Sequence, residues 1–277
     1  MAILKLSHAK QIYYETIDGE EKSPHLVFLH EGLGCTEMWQ EFPHMLCKET
    51  GCPGIVYDRL GYGRSSPLTD LWTIHYLHKY ALTELPEIIS QLIPARNYFL
   101  IGHSDGGSIA LIHASEKPAH LQGIITEAAH VFVEKETLDG IQVASDTFNA
   151  EKLRRLSRYH GGKAEGIFEA WSDTWLSNFF KYWNIEYLLP SIECPVLVLQ
   201  GAEDQYGTVA QVKSIASKTL KAQKAMVEAC GHVPHQERTD VVLQLMREFL
   251  KRQMHNKLFK PAMKSGRLNS NVTPFKS

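Results

Sequence analysis

The chain has 277 residues, is 44% hydrophobic and carries a formal net charge of -2. That length suits one α/β-sized domain with room for an inserted subdomain, and that apolar content builds a large core without disulfides or structural metals. The near-neutral balance removes any global field for nucleic acid or an anionic membrane. Five scattered cysteines (Cys35, Cys47, Cys52, Cys194, Cys230) contain no C-x-x-C pair, so neither a zinc site nor a disulfide framework is expected. The N-terminus lacks a basic start followed by an apolar h-region, and no apolar run approaches a membrane span, so a reduced, cytoplasmic setting is expected.

In chain order, Ile3 to Thr16 alternates loosely and predicts one or two antiparallel edge strands, closed by the turn signal Asp18-Gly19. Leu26 to Leu29 is a short, wholly apolar run of the kind found in central parallel strands. It opens into His30-Glu31-Gly32-Leu33-Gly34. Trp39, Phe42, Met45 and Leu46 then fall at helical spacing, with Pro43 in a first turn or at a kink. Gly54 to Tyr57 predicts another strand, followed by the glycine-rich loop Asp58 to Ser65. That loop lacks both the Lys-Ser/Thr of a P-loop and G-x-G-x-x-G spacing, which argues against a phosphate cradle. Leu77, Tyr80, Ala81, Leu85, Ile88, Ile89 and Leu92 make a helical stripe interrupted by Pro86.

Tyr98 to Ile101 is a further apolar strand. It runs into Gly102-His103-Ser104-Asp105-Gly106, after which a helical pattern begins. G-x-S-x-G between a strand and a helix demands a very tight turn, with glycine where a side chain would strike neighbouring backbone. Such a turn lifts the serine oxygen clear of the sheet and leaves the next N–H facing a developing oxyanion. Leu121 to Thr126 reads as the next strand.

From His130 to about Leu189 the strand–helix alternation stops. The segment is polar and helical, then rich in aromatics: Trp171, Trp175, Phe179, Phe180, Tyr182, Trp183 and Tyr187. Pro195 to Gly201 resumes the strand pattern, Ala225 to Glu228 is a last strand, and Val242, Leu245, Met246, Phe249 and Leu250 mark a closing helix. From His255 the chain has no acidic residue and no periodicity, and residues 255–277 are expected to be a disordered tail.

The fold class predicted is α/β, a mostly parallel central sheet with helices on both faces. Ligands of such sheets sit beyond the carboxyl ends of the strands. The loops after Leu29, Tyr57, Ile101, Gln200 and Glu228 all lie at that rim. A serine hydroxyl needs a base, and a histidine base needs a carboxylate to orient it. Glu203 and Asp204 offer the acid, and His232 and His235 the base, in the chain order Ser, acid, His.

These motifs together (H-E-G-L-G at His30, D-R-L-G-Y-G-R-S at Asp58, G-H-S-D-G-G at Gly102, G-A-E-D at Gly201 and G-H-V-P-H at Gly231) resemble the α/β-hydrolase family across about residues 10 to 252. The resemblance implies Ser104 as nucleophile, Asp204 as triad acid and His232 as base. It implies a core of residues 1–129 and 190–254 and an inserted helical cap over residues 130–189. The oxyanion donors would be the backbone N–H groups of Gly32 and Asp105, although Glu31 stands where many members of the family have glycine.

The Asp105 carboxylate is expected to cap the following helix, the alternative being substrate contact. Glu31 is expected as a structural group paired to Arg59 or Arg64, the alternative again being substrate contact. His30, His103, Trp171 and Trp175 are placed near the substrate or just behind the site. Catalysis would need no cofactor and no metal. The substrate expected is a small to medium carboxylic ester, with the protein acting as a monomer or homodimer and with no nucleic-acid or membrane partner. The rivals are a C–C bond hydrolase on the same fold and a receptor that has lost catalysis.

Overall fold

The computed structural model describes residues 2–69 and 71–258. Among these, eight strands form one sheet in the order β1-β2-β4-β3-β5-β6-β7-β8. β1 (Ala2–Lys5) pairs antiparallel with β2 (Gln11–Ile17), and β2 pairs antiparallel with β4 (Gly54–Tyr57). β4, β3 (His25–Leu29), β5 (Tyr98–His103), β6 (Leu121–Glu127), β7 (Val196–Gly201) and β8 (Ala222–Val227) then run parallel. Every residue of β4, β5, β6 and β7 is buried, as their near-continuous apolar sequences require of strands covered on two faces.

Parallel neighbours need crossovers, and helices supply them. α1 (Phe42–Thr50) links β3 to β4. α2 (Tyr76–Lys79) continues through a π-helical turn, Tyr80–Glu84, into α3 (Leu85–Leu92). That wide turn comes just before Pro86, which has no N–H to donate within a helix. α4 (Asp105–Ser115) joins β5 to β6, and α8 (Val209–Lys218) joins β7 to β8. α9 (Pro234–Glu237) and α10 (Thr239–Leu258) close the chain.

The two-residue period of the strands splits the core. Val27, Leu29, Leu100 and Val198 face α2–α4 and α8, whereas Leu26, Phe28, Ile101 and Leu199 face α1 and α10. Val242, Met246, Phe249 and Leu250 are the buried stripe of α10.

Between β6 and β7 lie α5 (Lys135–Asp146), α6 (Ala150–His160) and α7 (Ala164–Leu176), followed by short turns at Phe180–Tyr182 and Glu186–Ser191. α6 is fastened to the sheet rim by one neutral imidazole. His160 Nδ1 accepts from the Gly63 N–H at 2.8 Å, so Nε2 carries the proton and donates to the Leu33 carbonyl at 2.9 Å.

One open alternative is resolved and two sequence expectations need correction. Of the two places open to Pro43, a first turn or a kink, it takes the first turn, that of α1. The last strand begins at Ala222, because edge burial does not demand an apolar run there. The closing helix carries on through His255 to Leu258, so the tail expected from 255 starts inside a helix, and its remainder lies outside the described residues.

Candidate active site

β5 ends at His103, and the chain reverses into α4 at Ser104, which has φ 51° and ψ -115°. A positive φ is costly for serine and persists only where surrounding contacts impose it. Here the Ser104 N–H donates to the Glu127 carbonyl (2.8 Å), and the Ser104 carbonyl accepts from Gly107 (2.9 Å) and Ser108 (3.1 Å). The flanking glycines are obligatory. A Cβ on Gly102 would stand 2.2 Å from the Gly106 oxygen, and one on Gly106 would stand 1.9 Å from the Leu29 oxygen.

The loop after β7 and the loop after β8 bring Asp204 and His232 to this turn. His232 Nδ1 lies 2.8 Å from Asp204 Oδ1, and His232 Nε2 lies 3.1 Å from Ser104 Oγ. An ionised carboxylate only accepts, so Nδ1 carries the proton and the Nε2 lone pair faces the serine hydroxyl. Burial alone would push the Asp204 carboxyl up. The hydrogen bond and charge of His232, with the Tyr206 N–H at 2.9 Å, hold it net below the usual range. His235 does not reach Ser104. Its Nδ1 lies 2.7 Å from Glu127 Oε2, in a fully enclosed pair beneath the turn.

The His30 loop meets the turn from the β3 side. The Arg59 N–H donates to His30 Nε2 at 3.2 Å, so His30 Nδ1 carries the proton and donates to the Glu31 carbonyl at 2.8 Å. That is a neutral ring, in keeping with the burial that pushes it well below the ordinary histidine range. Arg59, 0% exposed, also donates to the Glu31 carbonyl through Nη2 at 2.7 Å, and its guanidinium lies over the rings of Tyr62 and Tyr80. Gly32 follows in this loop, with Asp105 Oδ2 3.3 Å from where a Cβ on it would stand. Asp105 is the first residue of α4, so its N–H has no acceptor within the helix and sits at the positive end of the helix dipole.

The remaining residues singled out in the sequence separate clearly. His103 Nε2 donates to the His232 carbonyl at 2.7 Å, so this histidine steadies the loop that carries His232. Glu31 does not behave as expected. Arg59 grips its carbonyl, Arg64 turns to Tyr13, Glu15 and Glu37, and the Glu31 carboxylate folds beneath Gly34, 3.9 Å from His103 Nδ1.

Asp105 also departs from expectation. Its carboxylate makes no cap on α4 and instead accepts from the Tyr76 hydroxyl at 2.8 Å. A side chain that points down into the Tyr76 pocket cannot curl back to the helix N–H groups. Trp175 Nε1 donates to that same Tyr76 oxygen at 2.9 Å. Trp171 packs on Gly32, its Nε1 2.7 Å from where a Cβ would stand.

Sequence reading missed several neighbours. Tyr76, stacked on Trp72 at 4.2 Å, carries no motif and precedes the helical stripe. His130 packs its ring 5.5 Å from Trp175 and 6.1 Å from His232. Tyr206 lies 4.8 Å from the His232 ring. The second histidine of G-H-V-P-H was a signal for the Glu127 contact, but its partner lies 108 residues away.

Chemically, the arrangement aligns a hydroxyl, an imidazole lone pair and an orienting carboxylate beside the N-terminus of α4. Those are the parts for nucleophilic acyl transfer. Among the described residues no helix is long and apolar enough to cross a membrane.

Comparison with known proteins agrees on the fold. The proline iminopeptidase of Lactobacillus helveticus (strain DPC 4571) is 23% identical over 87% of this chain and 94% of its own length. The 2-succinyl-6-hydroxy-2,4-cyclohexadiene-1-carboxylate synthase of Enterobacter sp. (strain 638) is 29% identical over 160 residues. That match spans 57% of this chain and about half, 55%, of the relative. The enol-lactonase of Burkholderia xenovorans LB400 superposes with a TM-score of 0.69 at 18% identity, covering 90% of this chain and all of that one. A family model described as "Alpha/beta hydrolase family" matches residues 26–245. The chain therefore belongs to the alpha/beta hydrolase family.

Proposed function

We propose that this protein is a serine hydrolase that cleaves a small to medium carboxylic ester through an acyl-enzyme. The observation that supports this best is the continuous chain Asp204–His232–Ser104, with contacts of 2.8 and 3.1 Å. His232 Nε2 takes the Ser104 proton as Oγ adds to the ester carbonyl. The tetrahedral oxyanion is held by the N–H groups of Gly32 and Asp105. Collapse expels the alcohol, which receives the proton from His232. Water, deprotonated by the same imidazole, then adds to the acyl-enzyme and releases the acid and Ser104. The imidazolium formed in each half is stabilised by Asp204.

Residues 130–189 serve as a cap on a core formed by residues 1–129 and 190–254. Trp171 on Gly32, Trp175 on Tyr76 and His160 on the Gly63 and Leu33 backbone support that division. A cap that encloses the acyl site excludes bulk water and sets the size of the acyl group. Relatives named as a peptidase and a synthase carry different activities, so ester turnover is the readout that tests the bond proposed here.

The deciding measurement is fluorophosphonate labelling together with turnover of a short p-nitrophenyl ester. Wild type is expected to label at Ser104 and turn over. Ser104→Ala is expected to do neither, with a loss on the order of 10⁶-fold in kcat. A Ser104→Ala variant with wild-type turnover overturns the proposal, and an unlabelled wild type points to a receptor.

A further inference from the structure

Asp105 stands immediately after the nucleophile, and its side chain is almost wholly buried, 2% exposed. A carboxylate offers about four lone-pair sites. The structure fills one of them, with the Tyr76 hydroxyl on Oδ2 at 2.8 Å. Oδ2 also lies 3.3 Å from the point where a Cβ on Gly32 would stand, and Trp171 Nε1 is 2.7 Å from the same point. The carboxylate therefore lies beside Gly32, one of the two residues whose N–H groups would bind the carbonyl oxygen on that reading.

A carbonyl oxygen and a substituent on the adjacent carbon are held close together by the O=C–C–X linkage. A side chain beside the oxyanion donors thus reaches the α-substituent of the acyl group before any other part of it. A bare carboxylate there opposes the negative charge that develops on the oxyanion. Arg59 offsets this in part: its charge and the Tyr76 hydrogen bond work against the burial that pushes the Asp105 carboxyl up. Its guanidinium, however, is engaged with the Glu31 carbonyl and two tyrosine rings, and no hydrogen bond joins it to Asp105 among the described residues. A cation carried by the substrate would fill the open acceptor sites and cancel the repulsion at once. A hydroxyl would do only the first, and an acidic group neither.

Resting on the serine-hydrolase reading above, we propose that the Asp105 side chain selects acyl groups bearing an α-ammonium group. Asp105 is then a specificity-determining residue, through its carboxylate, as well as an oxyanion donor through its backbone. The test compares kcat/KM for alanine methyl ester, methyl lactate and methyl propionate, each scaled by its rate of alkaline hydrolysis. Wild type is expected to favour the alanine ester. Asp105→Asn keeps the backbone N–H and the side-chain volume but removes the charge. It is expected to lower the alanine-to-propionate ratio by about 10- to 100-fold, the range of one charge-assisted hydrogen bond.

A ratio unchanged by the substitution overturns the inference. Should Asp105→Asn fail to fold, wild type alone decides, since equal scaled rates on the three esters overturn it too. Absence of turnover on all three esters, with Ser104 unlabelled by fluorophosphonate, overturns the hydrolase reading and the inference with it. Turnover without ammonium preference overturns the inference alone.

Discussion

Two imidazole–carboxylate pairs have histidines three residues apart, His232 on the loop after β8 and His235 in α9. His232 meets Asp204 at 2.8 Å and His235 meets Glu127 at 2.7 Å, both through Nδ1. Their surroundings differ. The His232 side chain keeps 11% exposure at the sheet rim, and its other nitrogen faces the Ser104 hydroxyl. His235 is 3% exposed against a Glu127 of 0%, with its ring walled by Trp39 at 4.5 Å and Phe42 at 5.5 Å. The pairing of acid and imidazole is therefore neutral about purpose. A nucleophile and reachable space at the far nitrogen suit one pair to chemistry, and enclosure makes the other a fastening between β6 and the loop that carries His232.

The comparison breaks most sharply at the first pair. Asp204→Asn preserves shape but no longer holds the His232 tautomer, and is expected to cost about 10⁴-fold in kcat. Its melting temperature should stay near wild type, so a variant that unfolds before it loses activity would erase the distinction.

At the second pair the order reverses. His235→Ala leaves Glu127 buried without its partner, and is expected to cost about 3–5 kcal/mol in denaturant unfolding. Any folded fraction should still label at Ser104. A stable His235→Ala protein with no labelling would instead mean that His235 takes part in chemistry.

A third buried histidine, with no carboxylate, sharpens the rule. His113 Nδ1 donates to the Ala81 carbonyl at 3.1 Å and Nε2 accepts from the Tyr98 hydroxyl at 2.8 Å. Burial pushes it down to about 4, against a Nδ1 bond that favours the proton. The unfolded histidine takes up its proton near the ordinary value of 6.5, while the folded one refuses it until about 4. This group's contribution is thus intact above 6.5 and falls away as the pH drops from 6.5 to 4, by about 3 kcal/mol. His113→Gln should lack that part of the acid destabilisation, and parallel wild-type and variant curves of stability against pH would refute it.

The smallest effect is expected at an exposed pair on α6. Glu151 and Arg155, at i and i+4 on α6, have side chains 56% and 70% exposed. Glu151→Ala should change stability by less than about 0.5 kcal/mol, read as a denaturant midpoint. A larger loss would show that exposure is a poor guide to which charge pairs matter here.

Local signals were sufficient for much of this architecture. Leu26–Leu29, Gly54–Tyr57 and Pro195–Gly201 read as buried strands because parallel strands covered on both faces need unbroken apolar runs, and they are β3, β4 and β7. Gly102 and Gly106 announced the turn at Ser104 because a Cβ at either collides with backbone. The edge strand β8 was read short, since Gln223 and Lys224 are tolerated where one side meets solvent. Asp105 and Glu31 were misjudged for a different reason. The partners of the Asp105 carboxylate, Tyr76 and the field of Arg59, both arrive from the connection between β4 and β5, and the Glu31 side chain is directed by a fold of its own loop under Gly34.

The amino-acid order alone thus determined the strand sequence, the tight turn around Ser104 and which loops reach one rim, because each depends on neighbours along the chain or on a two- or 3.6-residue period. The resemblance pointed to His232, but its contact with Ser104, the pairing of His235 with Glu127 and the direction of the Asp105 carboxylate were decided only in three dimensions. Those outcomes turn on contacts between residues 29 to 128 positions apart, whose distance and burial no local pattern records.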